Sequence, residues 1–233
     1  SHNTRVEGIT FLDSPHYNLL LRGDRCTVQN IKMIGWWYGT DGVGVGANSL
    51  VENSFFKVND DTFKLYRDDM VVRDCTIWQM ENGMPFQLSW NLNQDASRIR
   101  VSDCDVIRVE HFREANNRAV FGSIHGGSGN LSDYMFENIR VEGPIFRLVK
   151  LTALLTKWSR APTAGTISSL TFRHIDVEGP VAKPNEIKSF EATGRFEDIT
   201  FQNLTIGGQL ITEPAKSSFV IDPVSTARIR FIP

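Results

Sequence analysis

The chain has 233 residues, 41% of them hydrophobic, with 25 basic and 27 acidic side chains and a formal charge of -2. This is enough apolar material for one elongated domain with a sizeable core. The near-neutral balance excludes a general electrostatic pull toward nucleic acid or anionic lipid, and no run approaches the roughly 20 apolar residues of a membrane span.

Ser1-His2 reads as a tag remnant. The first apolar segment follows almost at once, and a solenoid end needs cover. The chain is therefore expected to be a piece of a longer protein, with an N-terminal domain or cap ahead of it.

Eight short segments share one template. They begin at Val6, Val28, Val51, Val72, Val101, Phe136, Phe172 and Phe201, and each reads apolar, polar, Asn or Asp, apolar or small, polar, apolar. Their starts lie 22, 23, 21, 29, 35, 36 and 29 residues apart, the mark of a solenoid whose units cannot bury their apolar sides alone. The third position is Gly8, Asn30, Asn53, Asp74, Asp103, Asn138, His174 and Asn203, mostly residues that tolerate a left-handed backbone and bond their own turn. The flanks alternate apolar and polar with the period of a strand. Strand, Asx turn and strand, repeated, predict an all-β fold, a right-handed parallel β-helix of about eight coils filling residues 1–233 as one domain. A leucine-rich horseshoe lacks support, because its Leu consensus and helices are absent.

Three cysteines leave at least one unpaired. Cys75 and Cys104 hold the template place occupied elsewhere by Ile31, Ile139, Ile175 and Leu204, so they are expected to stack inward as buried free thiols.

A second strand series runs between the template segments. Gly42-Val43-Gly44-Val45, Thr62-Phe63-Lys64-Leu65 and Pro85-Phe86-Gln87-Leu88 align if Val43, Phe63 and Phe86 form one inward stack. Asp41 then lies one coil from Asp61, beside Asp60, and rungs about 4.7–4.9 Å apart would bring the three carboxyls round a space of sugar-ring size. Grouped carboxylates shift one another's proton affinity, so such a trio points to acid/base chemistry, with one member holding its proton near working pH. Gly42 and Gly44 are expected to leave a bare strip for substrate. Lys64 falls on the same strip, placed to bond sugar hydroxyls or to favour an ionised carboxylate, and Gln87 one coil on is placed to bond hydroxyls in a neighbouring subsite. Trp36, Trp37 and Tyr38 precede the trio, and Trp78 and Trp90 follow it. Such rings offer flat apolar faces to sugars, and adjacent Trp36 and Trp37 cannot easily both be buried on a strand.

Thr40-Asp41-Gly42 followed by Val58-Asn59-Asp60-Asp61 within a β-helix resembles glycoside hydrolase family 49, the dextranase and isopullulanase group, in clan with the polygalacturonases of family 28. The specific part of the likeness runs from Trp36 to about Trp78. It implies an inverting glycosidase, endo-acting on an α-linked glucan, with Asp60 as general acid and Asp41 and Asp61 as the pair that holds and deprotonates water. It also implies a polysaccharide partner and an extracellular or periplasmic location. No cofactor or metal is expected. Polygalacturonases carry a Gly-His-Gly motif about one coil after the Asp doublet; here Asn82-Gly83-Met84-Pro85 stands there, which counts against pectin. His125, in Ile-His-Gly-Gly, lies 64 residues past Asp61 and is expected to serve a loop or distal subsite.

Residues 108–118 and 151–167 interrupt the repeat and are expected to form groove walls, with Arg113, Glu114 and Arg118 as solvated loop charges or substrate contacts. Two other functions use the same residues. A β-helix lyase would hold Ca²⁺ on Asp41, Asp60 and Asp61, and a non-catalytic carbohydrate-binding β-helix, like an adhesin or tailspike segment, would bind without turnover.

Overall fold

The computed structural model describes residues 2–233; Ser1, half of the expected tag remnant, lies outside the described residues. Each coil presents three faces. The first begins with Arg5–Glu7, Thr27–Gln29, Leu50–Glu52 and Val71–Arg73, and the second with Thr10–Leu12, Lys32–Ile34, Phe55–Val58 and Thr76–Gln79. From Ala96–Val109 onward the two merge into long bent strands: Leu131–Val141, Thr166–Val177, Arg195–Ile206 and Thr226–Ile232. The third face stacks eight parallel strands, from Leu19–Leu20 through Val43–Gly44, Phe63–Lys64, Phe86–Trp90, Phe121–Ile124, Val149–Ala153 and Asn185–Ser189 to Phe219–Ile221. This is the expected parallel β-helix.

The corner between the first two faces follows the template. Gly8, Asn30, Asn53, Asp74, Asp103, Asn138, His174 and Asn203 all have φ between 47° and 68°. Their side chains form rungs: Asn53 Nδ2 donates to Asn30 Oδ1 at 2.6 Å, and Asn138 Nδ2 to Asp103 Oδ1 at 3.0 Å.

A second left-handed column, not apparent in the template, sits five residues earlier: Asn3, Arg25, Asn48, Asp69, Arg98, Asp133, Ser169, Asp198 and Arg228. Left-handed backbone costs roughly 1–2 kcal/mol for a residue such as Arg. Each of these arginines follows an Asn or Asp one coil earlier, and bonds it. Arg25 Nε reaches Asn3 Oδ1 at 2.9 Å, Arg98 Nε reaches Asp69 Oδ1 at 2.8 Å, and Arg228 Nε reaches Asp198 Oδ1 at 2.7 Å. The rung below thus offsets the strain of the rung above.

The core runs the length of the coil. Phe136, Phe172, Phe201 and Phe231 stack with centroids 4.7–5.0 Å apart, and Phe63, Phe86 and Phe121 form a parallel file at 5.1–5.9 Å, each ring adding dispersion to the area it buries. Cys26, Cys75 and Cys104 are buried free thiols, the latter two in the inward column as expected.

Two expectations are corrected here. The wall segments are shorter than the sequence suggested, because Arg108 and Val109 complete one strand, and Leu151, Thr152 and Ala153 belong to another. Nor are Gly42 and Gly44 a bare strip. A Cβ on Gly42 would lie 2.4 Å from the Thr62 carbonyl oxygen, and one on Gly44 2.8 Å from Leu20 Cδ1. These glycines let coil pack on coil.

Candidate active site

The third-face register places the acids. Val43 pairs with Phe63 and Phe63 with Phe86, so Asp41 and Asp61, each two residues earlier, occupy the same place on successive rungs. Gly42 N–H donates to the Asp61 carbonyl at 2.9 Å and locks that register. One oxygen each from Asp41, Asp60 and Asp61 lies within 4.8 Å of the others. Lys64, three residues after Asp61 at the end of strand Phe63–Lys64, places its ammonium 2.8 Å from Asp41 Oδ1 and 3.6 Å from Asp61 Oδ2.

Backbone groups hold the doublet. Asp61 N–H donates to Asp60 Oδ1 at 3.0 Å and Met84 N–H to Asp61 Oδ1 at 3.2 Å, while Gln79 Nε2 donates to the Asp60 carbonyl at 2.9 Å. Asp41 and Asp61 are buried, and Asp60 is partly open. Burial, then the Asp41 charge, pushes the Asp60 carboxyl up to about 6. Burial pushes Asp61 up to about 8 against the pull of Lys64, with the Asp60 and Asp41 charges adding to the rise. Asp41 is raised by burial too, with Lys64 opposing. Burial works against the Lys64 ammonium, but the Asp61 and Asp41 carboxylates outweigh it and hold the proton on. The three carboxyls titrate as one system, and near neutral pH that system keeps a proton beside two ionised groups whose charge Lys64 partly offsets.

The trio opens into a cavity of about 630 Å³ whose other walls include His16, Tyr17, Tyr38, Asn82, Trp90 and Arg118. Arg118, expected as a solvated loop charge or substrate contact, is only 2% exposed. Its guanidinium donates to Asn82 Oδ1 at 2.9 Å, to Asn117 Oδ1 at 2.6 Å and to the Tyr38 hydroxyl at 3.3 Å. Its loop is pinned at Glu114, whose carboxylate accepts from the buried Arg147 at 2.9 and 3.0 Å and from the buried Lys150 at 2.8 Å. Those bonds, Arg147 foremost, hold the Glu114 carboxyl down at about 2. Arg113 turns away to Glu81 at 2.5 Å.

Other expected site residues fall elsewhere. Gln87 shares the rung position of Lys64 but is fully buried, with Oε1 accepting from the Tyr66 hydroxyl; the overlying Tyr66 removes it from any subsite. Trp36, Trp37 and Tyr38 are all exposed, yet Trp36 and Trp37 line a separate hollow of about 420 Å³ with Asp13, and only Tyr38 also reaches the main cavity. Trp78 is occupied by Glu110, which accepts its Nε1–H at 2.9 Å, and by Lys57 over its ring at 4.3 Å. His125 lies in the interior and serves no subsite. Its Nε2–H donates to the Gly129 carbonyl and Nδ1 accepts from Ser89 Oγ, both at 2.9 Å, and burial pushes it down to about 4. His16, Tyr17, Asn82 and Asn117 escaped the sequence reading; for Tyr17 the available signal was its place two residues before Leu19, matching Asp41 before Val43.

Fold and site together define a parallel β-helix protein with a carboxylate cleft on one face. No family model matches the chain. It is 25% identical over 243 residues to a dextranase of an Arthrobacter species (strain CB-8), covering 91% of this chain and 37% of that protein. It is 30% identical over 197 residues to a dextranase of Talaromyces minioluteus, covering 79% of this chain and 31% of that one. The solved structure of Dex49A from Penicillium minioluteum superposes with a TM-score of 0.66 at 20% identity, over 98% of this chain and 43% of that one, so the fold is shared. The chain is dextranase/isopullulanase-like, as the two Asp motifs implied. It spans well under half the length of these relatives. Among the described residues, no helix is long and apolar enough to cross a membrane.

Proposed function

We propose that the protein is a glycoside hydrolase that cleaves an α-linked glucan internally, with Asp60 as general acid and Asp41 and Asp61 as the pair that activates water. One observation carries the reading: three carboxyls within 4.8 Å of one another, around a single ammonium, at the wall of an open cavity. Asp60 is the member with an open side, and its raised proton affinity suits donation to the glycosidic oxygen. As the C–O bond breaks and positive charge develops at the anomeric carbon, Asp60 gives up its proton. A water held beside Asp41 and Asp61 loses one to the ionised member of the pair and forms the new C–O bond.

Inversion is part of the proposal and rests on the family resemblance. The carboxyl oxygens lie closer than the roughly 6.5–9.5 Å usual for inverting pairs, so the configuration of the first product, read by proton NMR during hydrolysis, is its test. A substrate of polymer size fits a location outside the cytoplasm.

A calcium-dependent lyase would use the same trio as ligands. The Lys64 ammonium already stands where such a cation would bind, which favours the hydrolase. The decisive experiment is a screen of α-glucans, dextran and pullulan included, with wild type and Asp60→Asn. Reducing sugar from the wild type alone supports the assignment, and equal release by both removes Asp60 from the chemistry.

A further inference from the structure

Arg118 is a buried cation without an acid of its own. It is 2% exposed, and its guanidinium donates only to uncharged oxygens, those of the Asn82 amide, the Asn117 amide and carbonyl, and the Tyr38 hydroxyl. Its Nε–H has no partner. Among the described residues the other two buried basic side chains of this kind, Arg147 and Lys150, both meet the Glu114 carboxylate. Burial, then the Arg118 charge, pushes nearby His111 down to about 3, so that ring adds no charge to the wall. A buried charge without a counter-ion is costly, and such perturbed groups gather where chemistry uses them.

The acid that Arg118 faces is Asp60. Both line the cavity, together with the other charged and titratable groups Asp41, Asp61, Lys64, His16, Tyr17 and Tyr38. Two connections hold the guanidinium on the Asp60 side. Gln79 Nε2 donates to the carbonyls of both Asp60 and Asn82, and the Asn82 amide oxygen accepts from Arg118. Tyr38 precedes Gly39, on which a Cβ would lie 3.9 Å from Asp60 Oδ2. Asp60 Oδ1 accepts from the Asp61 N–H, so Oδ2 is the oxygen left to carry the proton. With one proton retained, the three acids keep two negative charges, against which Lys64 sets one positive charge. Arg118 supplies the second. Burial and the Asp41 charge raise the Asp60 carboxyl, while Lys64 and Arg118 pull it back.

We propose that Arg118 is the counter-charge of Asp60, stabilising the carboxylate left when Asp60 gives its proton to the glycosidic oxygen. It is a positioning residue, too deeply buried to reach the sugar. The assignment rests on the hydrolase reading above and adds to it the residue that lets the acid release its proton.

The test begins without turnover, with protein carrying aspartate labelled with ¹³C at the side-chain carboxyl and the Asp60 resonance identified by its loss in Asp60→Asn. In Arg118→Met the Asp60 midpoint moves up by about one pH unit, and in Arg118→Lys, which keeps the charge, it returns most of the way. Arg118→Gln, which keeps an N–H donor toward Asn82, gives the same upward move if the Met variant fails to fold. On dextran, kcat of the uncharged variants falls about tenfold with KM changed by less than about twofold. On an isomaltoside with a dinitrophenolate leaving group, which departs without a proton, their rate stays at the wild-type value. An Asp60 midpoint that stays or falls, a Lys variant that matches Met, or equal losses on both substrates overturn the assignment. A wild type that releases nothing from any α-glucan removes the hydrolase reading, while the NMR midpoints still decide whether Arg118 and Asp60 are paired.

Discussion

Lys64 stands between two carboxylates of successive coils, 2.8 Å from Asp41 and 3.6 Å from Asp61. Its ammonium makes two buried acids tolerable so close together. Removing it leaves uncompensated buried charge, at a cost of about 3–5 kcal/mol. Without Lys64 the Asp41 and Asp61 carboxyls rise further. A carboxyl raised in the folded state stabilises the fold below its unfolded value and loses that contribution as pH rises through its folded value. Lys64→Met should therefore unfold at much lower denaturant than wild type at pH 8, with the gap narrowing toward pH 4. Urea midpoints at the two pH values check this.

Asp60 separates activity from stability. Its carboxyl lies near 6 because burial and the Asp41 charge disfavour ionisation. The stability it contributes is present below the ordinary carboxylate value and is lost as pH rises through about 6. Asparagine has no such loss, so Asp60→Asn should be the more stable protein at pH 7 by on the order of 1–3 kcal/mol and level with wild type near pH 3. Its kcat should fall by roughly 10²–10⁴. In the wild type, kcat/KM should decline on the alkaline side between about 6 and 8, where the trio gives up its shared proton. A pH-rate profile beside thermal melts of both proteins measures all three effects.

Much of this was legible in the sequence because a coil converts spacing into position. Asn30, Asn53, Asp74 and Asp103 announced one corner by residue type, and the inward file of Val43, Phe63 and Phe86 set Asp41 beside Asp61. The second corner was hidden because Arg25, Arg98, Ser169 and Arg228 are not residues that signal a left-handed backbone. The three arginines are held in that conformation by bonds to the coil beneath. Gln87 as a subsite contact and Arg118 as a solvated charge were misread for one reason, since burial by another coil is not written in a residue's own neighbourhood. Tyr66 covers Gln87, and Asn82, Asn117 and Tyr38 draw Arg118 into the wall.

The cation question has a direct outcome. The oxygens of Asp41, Asp60 and Asp61 are close enough to share a metal ion, but the Lys64 ammonium already supplies a positive charge at hydrogen-bond distance from Asp41. Glucan hydrolysis should survive exhaustive chelation and dialysis undiminished, and added Ca²⁺ should raise neither the rate nor the thermal midpoint. Chelator-sensitive release of an unsaturated product from a uronate polymer, restored by Ca²⁺, would favour the lyase reading.

Gly83 couples the fold to the chemistry through the peptide between the paired acids. Its φ is +78°, and a Cβ there would lie 2.2 Å from the Asp60 carbonyl carbon and 2.3 Å from the Asp61 nitrogen. Both are backbone atoms, so no side chain can swing aside. Gly83→Ala must carry left-handed strain and also push the Asp60-Asp61 peptide off its rung, which moves both carboxyls relative to Asp41 and Lys64. The expected cost is about 2–4 kcal/mol of stability, with a fall in kcat larger than any change in KM, because the acids move while the cavity's aromatic walls stay. Gly143 is the control. Its φ is +67°, yet nothing lies within 4 Å of a Cβ built on it, so Gly143→Ala should lose only the roughly 1–2 kcal/mol of backbone strain and keep its rate. Urea midpoints and initial rates for the two variants distinguish backbone strain alone from strain transmitted to the carboxylates.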